Sequence, residues 1–208
     1  MAARLRYLLP AVLAAAAFSV PAANAGLIGN LLGGSCPTGG TQVFAPWGDY
    51  ASYLLAPNGG LESGTTGWSL SSGAKVVSGN EPFLKTGSHS LLLPSGSSAL
   101  SPVVCLGQDQ LFLRMFGADA GGRDKGLRVQ VVWYGLLNKV LGISDFATYG
   151  AGGAWSPTSK LGSSGGLSVP LLPILGSTSA RVLLTPLGSG SAWQIDDLYV
   201  DPCIGRIG

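Results

Sequence analysis

The chain is poor in charged and titratable side chains. Only 11% of its 208 residues are Asp, Glu, Lys or Arg, and it has one histidine, His89, and two glutamates, Glu62 and Glu81. A hydrolase using serine, histidine and aspartate would need His89, which is the only histidine in the sequence. The lysines and arginines are scattered rather than grouped in a basic stripe, which argues against nucleic acid as the main partner.

Helical periodicity and phosphate-binding glycine motifs are also missing. No window of useful length repeats apolar residues at helical spacing, and no G-x-x-x-x-G-K-[ST] motif occurs. The 33 glycines instead separate short apolar runs, as turn formers do. Strands are expected at, among others, 41–44, 75–78, 127–134, 146–149 and 193–200. This pattern predicts an all-β protein, either a sandwich or a barrel.

Two of these strands allow their facing to be predicted. In the strand 127–134, Leu127, Val129, Val131 and Trp133 share one face, which is expected to be the core. In the strand 193–200, strict alternation places Asp196 and Asp197 on opposite faces. One carboxylate is then buried whichever face is inside, and a buried carboxylate needs a partner.

The N-terminus has the pattern of a secretory signal. Arg4 and Arg6 precede the apolar run 7–20, and the small residues of "PAANA" suit cleavage before Gly26. The run is shorter than the ~20 residues that a membrane-spanning helix needs. We therefore expect a signal peptide at 1–25, a flexible leader at 26–35, one domain at 36–203 and a tail at 204–208. The mature protein is expected to be secreted, without membrane insertion.

Export bears on the three cysteines, because disulfides persist outside the cytoplasm. Cys36, Cys105 and Cys203 allow one bridge and leave one thiol, with three pairings open. We favour a bridge from Cys36 to Cys105, with Cys36 to Cys203 close behind. A metal site made of these cysteines would need closer spacing or more histidines.

Three stretches together resemble the signature of one superfamily. They are "NGGLESGTTGW" at 58–68, "GSHSLLLP" at 87–94 and "WQIDDLYVDP" at 193–202. They resemble the jelly-roll carbohydrate-binding modules, also called galactose-binding-like, which open on N-G-x-F-E-x-G-x-x-G-W and close on an I-D-D-V-x-V strand. Leu61 stands where that pattern usually has Phe. With its "FAPWGDYASY" and "SGNEPF" stretches, the chain resembles more closely a group of secreted bacterial proteins of this fold without an assigned activity. The resemblance implies a jelly-roll β-sandwich of two antiparallel sheets.

The resemblance also implies one structural calcium ion between the opening and closing motifs. Glu62 would supply side-chain oxygen and Gly60 a backbone carbonyl, with further carbonyls from Lys85 to Ser88. Asp197, or alternatively Asp196, matches the closing aspartate. Such oxygens are what a hard cation binds. The alternative is that Glu62 only caps a turn or pairs with Lys85.

Sugar binding in such modules depends on exposed aromatic rings that stack on sugar faces, beside a few polar groups. The aromatic residues that lie beside loops or on outward positions are Trp47, Tyr134, Tyr149 and Trp155. Large aromatics are mostly buried on average, so packing is the alternative role for each of them.

The resulting hypothesis is a secreted, non-catalytic module that binds carbohydrate or a cell-surface glycan. One alternative is a structural or adhesive protein that self-associates through the apolar, proline-broken segment 166–179. Another is a hydrolase that acts through Glu62 or Glu81, since glycoside hydrolysis needs carboxylates.

Overall fold

The computed structural model describes residues 39–104, 112–121, 126–150, 152–162 and 179–201. The expected signal peptide, leader and tail lie outside these ranges, as do all three cysteines and nearly all of the apolar segment 166–179. The disulfide and the self-association hypothesis therefore stay predictions. Among the helices within these ranges, none has the length and apolar character that crossing a membrane requires.

Strands make up nearly all of the regular secondary structure of the described residues, and every strand pairing is antiparallel. In chain order the strands are β1 Leu54–Leu55, β2 Ser69–Ser71, β3 Lys75–Ser78, β4 His89–Pro94, β5 Ser98–Leu100, β6 Phe112–Asp119, β7 Leu127–Tyr134, β8 Val140–Tyr149, β9 Ser156–Pro157, β10 Leu161–Gly162, β11 Ser179–Pro186 and β12 Ala192–Asp201. Short 3-10 turns occur at Ala45–Trp47 and Leu136–Asn138.

These strands form two sheets that pack face to face. The first sheet has the order β10-β6-β12-β4-β3, with β1 also paired to β12 and β9 to β6. The second sheet has the order β2-β5-β11-β7-β8. The chain passes repeatedly from one sheet to the other, because β4, β6 and β12 belong to the first and β5, β7 and β11 to the second. The fold is a jelly-roll β-sandwich of two antiparallel sheets, as predicted.

The core between the sheets follows the alternation of the strands. Leu127, Val129, Val131 and Trp133 of β7 are all buried in it, which confirms the predicted core face. Trp193 of β12 is fully buried among the same residues. Burying a side chain of this size removes a large apolar area from water, which is the main stabilising term for a sandwich.

Strand β12 does not keep the alternation that its sequence predicts. Its pairing with β6 shifts register between Asp196 and Tyr199, and Asp197 has the left-handed φ of 50°. Before this bulge Trp193 and Ile195 face the main core, whereas Leu198 and Val200 face it afterwards. Alternation alone predicts that the sheet buries one of Asp196 and Asp197, whereas the structure buries both. The bulge buries both carboxylates.

The outer face of the first sheet is covered by the segment 42–53. The expected strand 41–44 is wrong: Thr41 makes a single bridge to Tyr53, and the 3-10 turn Ala45–Trp47 follows. Phe44 and Tyr53 are buried against Phe116 of β6 in a small second core. This segment keeps water from the middle of the sheet.

A partly buried ion pair fastens this segment to the sheet. Arg114 of β6 donates from Nη1 to Asp49 Oδ2 at 2.9 Å and from Nε to the carbonyl of Thr158 at 2.9 Å. The guanidinium also lies 4.0 Å from the centre of the Phe44 ring. Burial acts to raise the pKa of Asp49, but hydrogen bonds from Tyr53, Ala51 and Arg114 outweigh it, so the pKa is lowered.

This pairing predicts acid sensitivity. Because the folded pKa of Asp49 lies below its ordinary value of about 4, its stabilisation is present above that pH and is lost as the pH falls towards the folded pKa. We expect Asp49→Asn to cost about 1 to 3 kcal/mol of unfolding free energy at pH 7 and less at pH 2. Urea unfolding at both pH values measures this. Asp145→Asn is the matched control, since the Asp145–Arg128 pair is exposed. Equal losses at both pH values would contradict the prediction.

Candidate functional site

The motif at 58–68 is a turn organised by Asn58. Its side-chain amide donates to the carbonyls of Gly64 at 3.0 Å and Thr66 at 2.9 Å, and its Oδ1 accepts from Ser63 N at 3.0 Å. The backbone carbonyl of Asn58 accepts from Trp68 Nε1 at 3.0 Å, and the Trp68 ring is buried in the core. The asparagine and tryptophan of the motif therefore have structural roles.

This turn packs on the bulge of β12. Ala56 N donates to the carbonyl of Leu198 at 2.9 Å, and Leu198 N donates to the carbonyl of Gly59 at 3.2 Å. Gly59 has no room for a side chain, because a Cβ would lie 2.7 Å from the Leu198 carbonyl oxygen. At Gly60 a Cβ would lie 2.8 Å from Asp197 Oδ1. The opening and closing motifs thus meet, as the resemblance implied.

Glu62 holds the loop that precedes β4. Its Oε1 accepts from Ser88 N at 2.7 Å and His89 N at 2.9 Å, and its Oε2 accepts from Ser88 Oγ at 3.1 Å and lies 3.3 Å from His89 Nδ1. The hydrogen bond from Ser88 N is the main cause that lowers the pKa of Glu62 to about 2. Lys85 is exposed, with a left-handed φ of 55°, and makes none of these contacts. The suggested pairing of Glu62 with Lys85 is therefore wrong.

Four carboxylates gather where the turn, this loop and the bulge meet. We call Glu62, Glu81, Asp196 and Asp197 the acidic cluster. Glu81, Asp196 and Asp197 are 1%, 0% and 5% exposed. The ion pairs of the described residues give these three no cationic partner. Three buried acids without a cation form an unfavourable arrangement unless a proton or a metal ion compensates.

The pKa values of Asp196 and Asp197 are both raised by this unfavourable arrangement of buried acids. Burial, and then the neighbouring charge of Asp197, raise the pKa of Asp196 to about 8. Burial, and then the charges of Glu81 and Glu62, raise the pKa of Asp197 to about 6. The two aspartates differ in their contacts. Asp196 accepts from Glu81 N at 3.2 Å and from Asp197 N at 2.8 Å, whereas Asp197 Oδ2 is buried without a hydrogen-bond partner.

The donor set suits a hard cation more than a transition metal. Oxygen atoms of Asp197 and Glu62, together with backbone carbonyls, are ligands that calcium accepts. No three histidine, cysteine or acidic side chains within the described ranges are arranged to hold a metal ion. A cation here would therefore depend on few carboxylates and on carbonyls of the Gly60 and Lys85–Ser88 segments. Of the two aspartates, Asp197 has the free oxygen.

A partly exposed aromatic pair lies beside the acidic cluster, on the outer face of the first sheet. Trp47 and Phe83 are 37% and 39% exposed, and their ring centres lie 5.3 Å apart at nearly right angles. Both rings rest on Phe116, at 5.6 Å and 5.5 Å. We call Trp47 and Phe83 the aromatic surface. Trp155 is half-buried and packs against the same small core.

The four predicted ligand-binding aromatics do not form one site. Trp47 and Trp155 lie on the first sheet, although 108 residues separate them in the sequence. Tyr134 follows the core residue Trp133 and so lies on the outer face of the second sheet. Tyr149 is only 7% exposed and packs in the main core at 5.4 Å from Trp193. The inclusion of Tyr149 among exposed ligand residues is wrong, because its ring fills the space above Gly117.

Phe83 was missed by the sequence reasoning, and Glu81 was considered only as a hydrolytic acid. The carboxylate of Glu81 accepts from Phe83 N at 2.5 Å and Leu84 N at 2.8 Å. A carboxylate that receives backbone donors two and three residues later is a local turn motif. The run "EPF" contains that signal, but only the fold shows that the ring meets Trp47.

No protein-family model matches the chain, and no curated protein matches it. Solved structures do. The CBM22-1 xylan-binding domain of Paenibacillus barcinonensis Xyn10C is 17% identical over 73% of this chain and 94% of that one, with a TM-score of 0.49. The CBM22-1-GH10 modules of Clostridium thermocellum Xyn10B are 12% identical over 71% and 28%, with a TM-score of 0.49. A family 16 carbohydrate-binding module is 17% identical over 71% and 99%, with a TM-score of 0.44. All three TM-scores lie below 0.5, and all three identities lie below 20%.

The contact between the turn and the bulge predicts a specific sensitivity to side-chain size. We expect Gly59→Ala to lower the unfolding free energy by about 1 to 3 kcal/mol, because the added methyl group would collide with the backbone of Leu198. The matched control is Gly142→Ala in β8, where a Cβ meets nothing within 4 Å. Urea denaturation compares the two variants. Equal stability would show that the turn does not pack on the bulge as described.

Proposed function

We propose that the protein is a secreted, non-catalytic module that binds carbohydrate through the aromatic surface and is stabilised by a calcium ion at the acidic cluster. The observation that carries the proposal is the pair Trp47 and Phe83, which are each more than a third exposed on the outer face of the first sheet. Large aromatic rings are usually buried, so a supported and exposed pair favours a binding role.

The chemistry of such a surface suits sugar rings. Their C–H groups pack on aromatic faces, while hydroxyl groups need polar partners at the rim of the site. The rings are held from below by Phe44 and Phe116, so their position is set before a ligand arrives. A preformed surface loses less entropy on binding than a mobile one does.

The two glutamates favour binding over hydrolysis. Both oxygens of Glu62 are engaged by Ser88 and His89, and its low pKa keeps it ionised, which is unsuited to a general acid. Glu81 is buried, and its carboxylate accepts two backbone N–H groups. Each carboxylate supports a loop of the site instead of facing an open cleft.

A calcium ion would complete the acidic cluster. Asp197 would hold the ion with its unpartnered oxygen, helped by Glu62 and by carbonyls of Gly60 and the segment from Lys85 to Ser88. The ion would supply the positive charge that Glu81, Asp196 and Asp197 otherwise lack. It would thereby join the opening turn to the closing strand.

The calcium proposal predicts that calcium raises the Tm of the wild type but not that of Asp197→Asn. Binding to the native state adds about 2.7 kcal/mol when free calcium is about 100 times Kd, so the Tm of the wild type should be higher in calcium than in EDTA. In Asp197→Asn we expect little calcium response but an unchanged or higher Tm in EDTA, because the unpaired buried charge is gone. Differential scanning calorimetry measures both. Asp145→Asn, on the second sheet, should behave like the wild type. A wild-type Tm that is the same in calcium and EDTA would refute the proposal.

The carbohydrate proposal predicts that the ligand binds on the first sheet and not on the second. In affinity electrophoresis against a panel of soluble polysaccharides that includes xylan, we expect at least one ligand to retard the wild type. Trp47→Ala should weaken that binding about tenfold or more, since truncating a central aromatic often costs about 2 kcal/mol. Tyr134→Ala, on the other sheet, should bind normally. Binding to no polysaccharide would contradict the proposal, and loss in Tyr134→Ala alone would place the ligand on the second sheet.

A further inference from the structure

The segment 81–84 connects the acidic cluster to the aromatic surface. We propose that Glu81 is a positioning residue that couples a divalent cation at the acidic cluster to the placement of Phe83 against Trp47. The inference rests on the proposed function for the presence of the cation and the role of the surface. The coupling itself follows from an unbroken series of contacts.

The first contacts lie within the bulge of β12. Asp197 N donates to Asp196 Oδ1 at 2.8 Å, so the Asp196 carboxylate is held by the backbone of Asp197. Asp197 Oδ2 is buried and has no partner. An unpartnered carboxylate oxygen in the interior is a strong point of attraction for a cation. A cation bound there would fix Asp197 and, through its backbone, Asp196.

The next contact leaves the strand. The other oxygen of Asp196, Oδ2, accepts from Glu81 N at 3.2 Å, although 115 residues separate the pair. Asp196 is 0% exposed and Glu81 is 1% exposed, so water does not compete for this hydrogen bond. The position of Asp196 therefore determines where the segment 81–84 begins.

Glu81 then sets the backbone that carries Phe83. Its carboxylate accepts from the backbone N–H groups of Phe83 and Leu84, at 2.5 Å and 2.8 Å. Both donors belong to residues next to each other, so a rotation of the carboxylate turns the Phe83 backbone. The Phe83 ring in turn contacts Trp47 and Phe116. Phe116 lies directly opposite Asp196 in the pairing of β6 with β12, so both ends of the series meet on one sheet.

Electrostatic repulsion explains why a cation would change this series of contacts from Asp197 to Trp47. The groups that act on Asp197 from neighbouring elements are Glu81 and Glu62, both acidic. The described residues place no lysine or arginine within ion-pair distance of Glu81, Asp196 or Asp197. Without a cation, repulsion between Asp197 and Glu81 acts against the hydrogen bonds that hold Phe83. With a cation that repulsion is screened, and the Phe83–Trp47 contact becomes tighter.

The test follows Trp47 directly and needs no carbohydrate. The purified protein is labelled with 5-fluorotryptophan, and its five tryptophan resonances are assigned by single Trp→Phe variants. ¹⁹F NMR spectra in calcium and in EDTA should show a shift of the Trp47 resonance, while that of Trp133, buried on the second sheet, stays in place. Glu81→Ala should lose the Trp47 shift. Asp145→Ala, which removes an exposed acid, should keep it.

A second variant covers the case in which Glu81→Ala does not fold. Phe83→Ala removes a partly exposed ring and leaves the acidic cluster intact, so calcium should still raise its Tm while the Trp47 shift is lost. The coupling is overturned if the wild-type Trp47 resonance ignores calcium although the Tm rises. It is also overturned if both variants respond like the wild type. Failure of calcium to raise the Tm removes the cation and the coupling together, whereas a Trp47 shift without polysaccharide binding supports the coupling and refutes only the ligand.

Discussion

The bulge in β12 determines the arrangement around it. By giving Asp197 a left-handed backbone conformation, it brings two consecutive carboxylates into the interior and moves Leu198 to the core face. The same backbone distortion exposes the N–H and carbonyl of Leu198 to the opening turn, which pairs with both. One irregular residue thus creates the docking point for the first motif, and it also creates the electrostatic conflict that a cation would resolve.

The first sheet has different surroundings on its two faces. Its inner face contributes Leu91, Leu93 and Trp193 to the main core. Its outer face is covered by the segment 42–53 and by the segment 81–84, both held through carboxylates: Asp49 binds Arg114, and Glu81 binds its own following backbone. Where the two segments meet, the rings of Trp47 and Phe83 are partly exposed to solvent, whereas Phe44 and Phe116, on which they pack, are fully buried. The two rings are thus supported on one side and exposed on the other, as the proposed binding role requires.

How far the sequence could be read depended on whether each residue followed the ordinary strand geometry. β3 and β7 have the predicted bounds, and the core face of β7 is as predicted, because regular alternation is a local property. β8 is longer than the predicted 146–149, since polar and glycine residues hid its first half. The prediction of a strand at 41–44 is wrong because Pro46 and Gly48 favour a 3-10 turn that ends in a left-handed residue. Tyr149 was placed outside because nothing local shows that Gly117 leaves space for its ring.

The sequence by itself determined the fold class, the core face of β7 and the two motifs that meet, because alternation, turn residues and motif letters act over short distances. Only the tertiary structure decided which carboxylate keeps a free oxygen, which glutamate supports which loop and which aromatic rings share a surface. Glu81 and Asp196, for example, are joined by a hydrogen bond although they lie 115 residues apart in the sequence. Contacts of that kind depend on the packing of two sheets and on one bulge, and neither is encoded in the spacing of residues along a single strand.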